Sequence, residues 1–419
     1  MTLRFSGLRA AEILDSQGRP TLAVTLTLAD GRRVGAGVPS GGSAGGRGAT
    51  ERRDADPARF HGQGVRDAVA YVNGEIADAV LGRDFASAVE VDAALIIMDG
   101  TGTKSRYGVH AVAGVSLAAA RAEAAAKGMH LWESLAGVAR TAPRLPVPHI
   151  TVVDAGADAA TDLAFREFMV APLGAPSLSD AVRAGAEIYG RLRASLAAAG
   201  CSTALGDGGG FAPAGRPQDV LTLLVEAITD AGYAPGRDGV AISVNAAAGI
   251  LRDQDRYLVA GKSLGADQLV DRYEDLVDRF PIWSIENALA EDDVDGWTRL
   301  TARLADRVQL VRDVLTTDPS TATAAVDRRT GNCALIAVDQ TGTVTETLEA
   351  MRICRGAGYA QMVSHRPGET VDPFIADLAV GTGAGQIKSG APAGGERVAK
   401  YNRLLALADA CPALPYGLP

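Results

Sequence analysis

Seven polar or charged residues stand at the ends of apolar, Val- and Ile-rich runs in this chain of 419 residues: Asp207, Asn245, Glu286, Asp313, Asp339, His365 and Lys388. That is more than packing needs. Asn245, Glu286 and Asp313 fall in successive units and offer hard oxygen donors, a set suited to Mg²⁺ rather than to a thiophilic metal. Taken singly, each also suits a helix N-cap or a loop hydrogen-bonder; the trio together points to a metal. His365-Arg366 and Lys388 supply the opposite sign, and a metal facing Arg and Lys is a natural binder of phosphate or carboxylate. His365 alone fits a packed structural histidine equally well.

The elements that must position these residues are short strands alternating with amphipathic helices from Pro143 to the C-terminus. Val240 to Val244, Ile282 to Ile285, Gln309 to Val311, Ala334 to Val338, Gln361 to Ser364 and Gln386 to Ile387 read as strands, each followed by a helical segment. The span of about 275 residues matches the ~250 of a (β/α)₈ barrel, whose function sits at the carboxyl ends of its strands. A doubly wound open sheet is the second choice, disfavoured because no strand leads into Gly-x-Gly-x-x-Gly and Asp99 to Lys104 lacks the Walker A spacing. Ahead of the barrel, Thr21 to Leu28 and Arg33 to Val38 alternate as strands around an Asp30-Gly31 turn. Val65 to Val80 and His110 to Lys127 carry helical periodicity. This places an α+β capping domain over 1–135 and the barrel over 136–419. Between them in function, Pro39 to Gly46 is glycine- and serine-rich: either a plain turn or a mobile lid over a ligand.

Composition narrows the partners. Hydrophobic residues at 47%, charged at 22% and aromatics at 5% describe a globular protein. Lys+Arg 41 against Asp+Glu 50 leaves −9, which argues against nucleic acid or anionic lipid as partner. An anionic substrate therefore needs a local cationic pocket. There is no signal-peptide pattern and no apolar run of ~18 residues, so a cytoplasmic protein is expected. Cys201, Cys333, Cys354 and Cys411 are scattered and read as packing residues.

Across nearly the whole chain the motifs resemble the enolase family, the phosphopyruvate hydratases. They include Glu12-Ile-Leu-Asp-Ser16, Val38-Pro-Ser-Gly-Gly-Ser43, Gly209-Gly-Phe-Ala-Pro213, Ser284-Ile-Glu286, Val363-Ser-His-Arg366, Gln386-Ile-Lys388 and Glu396-Arg-Val-Ala-Lys-Tyr-Asn402. The resemblance implies a capped barrel whose second strand is antiparallel, a homodimer, and magnesium chemistry on a small phosphorylated acid. It implies roles for Glu167, Lys388 and His365 in catalysis, for Asn245, Glu286 and Asp313 in holding the metal, and for Ser43 and Arg366 in binding substrate.

The same resemblance implies losses. The stretch Leu335-Ile-Ala-Val-Asp-Gln340 puts Ala337 at the family's base lysine, and Gly206-Asp-Gly-Gly-Gly210 puts Gly208 at its acid glutamate. Asn245 replaces a metal aspartate, while Asp158 and Asp339 add carboxylates expected to face the substrate. A methyl and a hydrogen move no protons. From these positions the expectation is a repurposed, metal-assisted lyase or group-transfer enzyme on a phosphorylated or phosphonate-like carboxylic acid, with weakened Mg²⁺ binding and ordinary 2-phosphoglycerate dehydration absent or very low. A non-catalytic scaffold and an ordinary phosphopyruvate hydratase with rescued activity are the alternatives.

Overall fold

In a computed structural model the described residues are 2–41, 48–155, 165–259, 261–313 and 319–419. Strands β1 (Leu3–Leu14), β2 (Pro20–Leu28), β3 (Arg33–Gly37) and β4 (Asp84–Phe85) form an antiparallel sheet in the order β3-β2-β1-β4. One face of this sheet is covered by the helix Val109–Lys127, which is buried almost all round. Its small residues allow that closeness: a β-carbon on Gly114 would come within 2.6 Å of the Val24 side chain. The 65–80 stretch is not one continuous helix. A π-helical turn at Val72–Ile76 interrupts it, and within that turn the Asn73 side chain bonds both the N–H and the C=O of Ala10 on β1.

Strands β5 (Val147–Asp154), β6 (Glu167–Ala171) and β7 (Ala241–Asn245) open the barrel. A small antiparallel sheet follows, formed by β8 (Arg252–Asp253), β9 (Arg256–Val259) and β10 (Lys262–Leu264). Then β11 (Ile282–Glu286), β12 (Gln309–Arg312), β13 (Cys333–Ile336), β14 (Ala360–Ser364) and β15 (Gln386–Gly390) complete it, and β15 pairs with β5 to close an eight-stranded barrel. Strand β6 runs antiparallel to both β5 and β7, while the other neighbouring strands are parallel. Strands buried along nearly their whole length are what a barrel wrapped in helices demands.

Register does the positioning. Asp154 lies opposite Glu167, Glu167 opposite Asn245, and Asn245 opposite Glu286. Four oxygen-bearing side chains are thus set side by side along one rim of the barrel. Asp207, expected to close a strand, lies instead in the turn between Gly206 and Gly210, because a run of four glycines around one aspartate favours a turn over extended pairing.

Candidate functional site

A cavity of about 780 Å³ opens at this rim. Asp154, Glu167, Asn245, Glu286 and Asp313 line one side of it, and His365, Arg366 and Lys388 the other. Of the residues predicted from sequence, Ser43 and Asp158 lie outside the described residues. Asp339 does not line this cavity: it stands in the short helix Val338–Thr341, beyond β13, where its Oδ2 pairs with Arg366 Nε at 2.8 Å. Its carboxylate supports the arginine. Burial pushes Asp339 up to about 6, with Arg366 working against that rise.

Lys388 is the electrostatic centre. Its Nζ donates to Glu286 Oε1 at 2.8 Å and Oε2 at 2.9 Å, and it sits 2.8 Å from Glu167 Oε2. Burial disfavours its charge, but the two carboxylates outweigh burial and raise its pKa. Glu167 also accepts from Asn245 Nδ2 at 2.9 Å. Burial alone would raise it, yet Lys388 and Arg166 hold it at about 2. Glu286 goes the other way, up to about 7: burial dominates, Lys388 opposes, and Glu167 and Asp313 add repulsion. One ammonium between two carboxylates leaves a surplus negative charge, and Glu286 carries its cost. Both cations expected to await an anion, Arg366 and Lys388, are thus paired internally.

The cationic side is held from behind by the helix Gly395–Ala410. Arg397, fully buried, donates to the carbonyls of Arg366 at 2.7 Å, Pro367 at 2.7 Å and Asp207 at 3.0 Å, and to His365 Nδ1. An arginine only donates, so His365 Nδ1 accepts and the proton of the neutral ring is on Nε2. Burial lowers His365 well below its ordinary value, and Arg397 lowers it further. Lys400 anchors the same loop through Glu369 Oε2 and the Thr370 carbonyl. The motif Glu396 to Asn402 was visible in the sequence, but its role as this buried brace was not.

The metal set can be tested on its donors. Among the described residues no three His, Cys, Asp or Glu side chains form a metal group, and one member of the expected trio, Asn245, is an amide. Asn245 Oδ1 accepts from the Ala247 N–H at 3.0 Å, and Asp313 Oδ2 accepts from Asn287 Nδ2 at 3.2 Å. The donors are nonetheless all hard oxygens. The surplus negative charge that raises Glu286 is what a divalent ion would neutralise, so the residues fit Mg²⁺ in type and in charge.

One residue that sequence reasoning missed is Asp154. It closes β5, is buried, lines the cavity and accepts from the Gly208 N–H. The signal was there: Val152-Val153-Asp154 is an apolar run closed by a carboxylate, the pattern that singled out Ile285-Glu286.

Two comparisons bear on kinship. The chain matches the family models "Enolase, N-terminal domain" over residues 6–135 and "Enolase, C-terminal TIM barrel domain" over 142–413. It is 46% identical over 402 residues to the enolase of Acidothermus cellulolyticus, covering 96% of this chain and 93% of that protein. This likeness corrects the expectation of a repurposed lyase or group-transfer enzyme. That expectation weighed a few substituted positions above the whole chain, whereas likeness over both domains to a protein named enolase points to the ordinary reaction. Missing Asp154 also made the acidic side of the cavity look emptier than it is. The chain belongs to the enolase family.

Proposed function

We propose that this protein catalyses the family's ordinary reaction, the dehydration of 2-phosphoglycerate to phosphoenolpyruvate, as a cytosolic homodimer. The observation that carries the reading is the 46% identity over 96% of the chain. The cavity supports it: Lys388 and Arg366 are cations that an incoming phosphate or carboxylate can draw from their internal partners. His365 Nε2–H adds a neutral donor. Mg²⁺ held by Asn245, Glu286 and Asp313 would supply further positive charge against the substrate's carboxylate.

Ala337 and Gly208, at the positions the resemblance gives to base and acid, have no proton to exchange, so the transfers fall to other side chains. Glu167 remains ionised through the neutral range and lines the cavity. A substrate anion seated on Lys388 both competes for that ammonium and adds negative charge, which raises the proton affinity of Glu167 as the C2 proton is removed. Product formation from 2-phosphoglycerate with saturating Mg²⁺, followed by ultraviolet absorbance, tests the reading. A kcat of ~1 s⁻¹ or more, the lower end of the ordinary range, is expected. A folded protein that forms no phosphoenolpyruvate would contradict it.

A further inference from the structure

We infer that Asp154 is the proton donor to the departing hydroxyl, a catalytic role that rests on the reaction proposed above. The geometry begins with the turn at residues 206–210. A β-carbon on Gly208 would lie 2.9 Å from Asp154 Oδ2 and 3.6 Å from Glu167 Oε1. The space over Gly208 is therefore flanked by two carboxyl groups from adjacent antiparallel strands, paired in register. A side chain at 208 and the Asp154 carboxyl exclude one another.

The turn is built around this aspartate. A β-carbon on Gly206 would meet the Asp154 carbonyl oxygen at 2.4 Å, and one on Gly210 the Asp154 nitrogen at 2.8 Å, so both positions need glycine for the backbone to close over it. The turn is braced in turn by Ala391 N–H to Gly208 O at 2.8 Å and by Arg397 to Asp207 O. An elimination needs one group to take a proton and another to protonate the leaving oxygen, both reaching the same substrate. Glu167 and Asp154 meet that condition across Gly208. The reaction takes two steps: first the C2–H bond breaks, its proton goes to Glu167 and the electron pair is delocalised into the substrate carboxylate as an enediolate; then that pair forms the C2–C3 double bond as C3–O breaks. In the complex the like charges of Glu167 and of the bound substrate anion keep a proton on Asp154, and that proton joins the departing hydroxyl as water. Asp154 is left as a carboxylate, and solvent restores both groups.

The test separates the two proton transfers. Asp154→Asn keeps an oxygen for the Gly208 N–H but cannot act as an acid. Product formation should fall ~10²–10⁴-fold while deuterium exchange at C2 in D₂O stays within ~3-fold of the parent. The swap Asp154→Gly with Gly208→Glu should recover part of the lost turnover, since Gly208 has no left-handed backbone to forbid a side chain. The inference is overturned if Asp154→Asn keeps its turnover, or if exchange and turnover fall together. If the parent neither exchanges nor forms product, the reaction proposed above fails and the inference with it; an active parent with an unaffected variant overturns the inference alone.

Discussion

The two sides of the cavity are built differently. On the β14–β15 side, Lys388 and Arg366 each hold a carboxylate, and Arg397 and Lys400 fix the loop between them through buried carbonyls and Glu369. On the β5–β7 side, Asp154 and Glu167 stand beside a glycine turn held by backbone contacts, by the Asp154 carboxylate on Gly208 N–H, by Arg397 on the Asp207 carbonyl and by the Tyr189 hydroxyl on the Gly209 carbonyl. On the function proposed above the first side binds the substrate, and it is braced several times over. On the same proposal the second moves protons, and there each role rests on a single carboxyl. Under that proposal, Gly208 and Ala337 change which carboxylate acts without dismantling the binding wall.

The largest effect should come from Lys388→Met, which strikes both sides at once. It leaves Glu167 and Glu286 buried without their cation, so about 3–5 kcal/mol of stability should be lost at neutral pH by urea denaturation, together with turnover. Because the loss comes from uncompensated carboxylates, and removing Lys388 takes away what lowers both Glu286 and Glu167, the deficit should shrink as pH falls and the two carboxylates take up protons, and grow as pH rises. A deficit independent of pH would mean that the two sides are not electrostatically joined through Lys388.

A smaller effect isolates the binding side. Above pH 6, Asp339 is ionised and competes with an external anion for Arg366; below it, the carboxyl is neutral and releases the arginine. Sulfate, which does not titrate in this range, should bind ~3–10-fold more tightly at pH 5 than at pH 7, with protonation of Glu286 contributing in the same direction. Asp339→Asn should show at pH 7 much of the affinity that the parent gains on acidification, measured by calorimetry. Equal sulfate affinity in parent and variant would show that Arg366 is not the anion's partner.

Much of the fold was legible because β7 and β11 to β14 carry short apolar stretches, and β7, β11, β12 and β14 end on a polar residue. The strands β5 and β6 were harder to see. Pro148 and His149 interrupt the first, and Glu167-Phe-Met-Val-Ala171 is short and starts on a charge. Without that hairpin the register placing Asp154 beside Glu167 could not be read, and Asp207 took the place of Asp154 as a strand end. Asn245, Glu286, His365, Arg366 and Lys388 were found because each stands at or just beyond a recognisable strand. The internal pairing of Arg366 and Lys388 depends on side chains from distant strands and has no local sequence signal. Nor was Asp339's place behind Arg366 legible, since that follows from the short helix after β13.

The division between a binding wall and a proton-moving wall is tested most directly by deuterium exchange at C2 of 2-phosphoglycerate in D₂O, comparing the parent with Glu167→Gln. The account predicts that the parent exchanges the C2 proton and forms phosphoenolpyruvate, and that Glu167→Gln still binds the acid while its exchange falls ~10²-fold or more. Exchange at the parental rate in Glu167→Gln, or none in a parent that binds the acid, would contradict it.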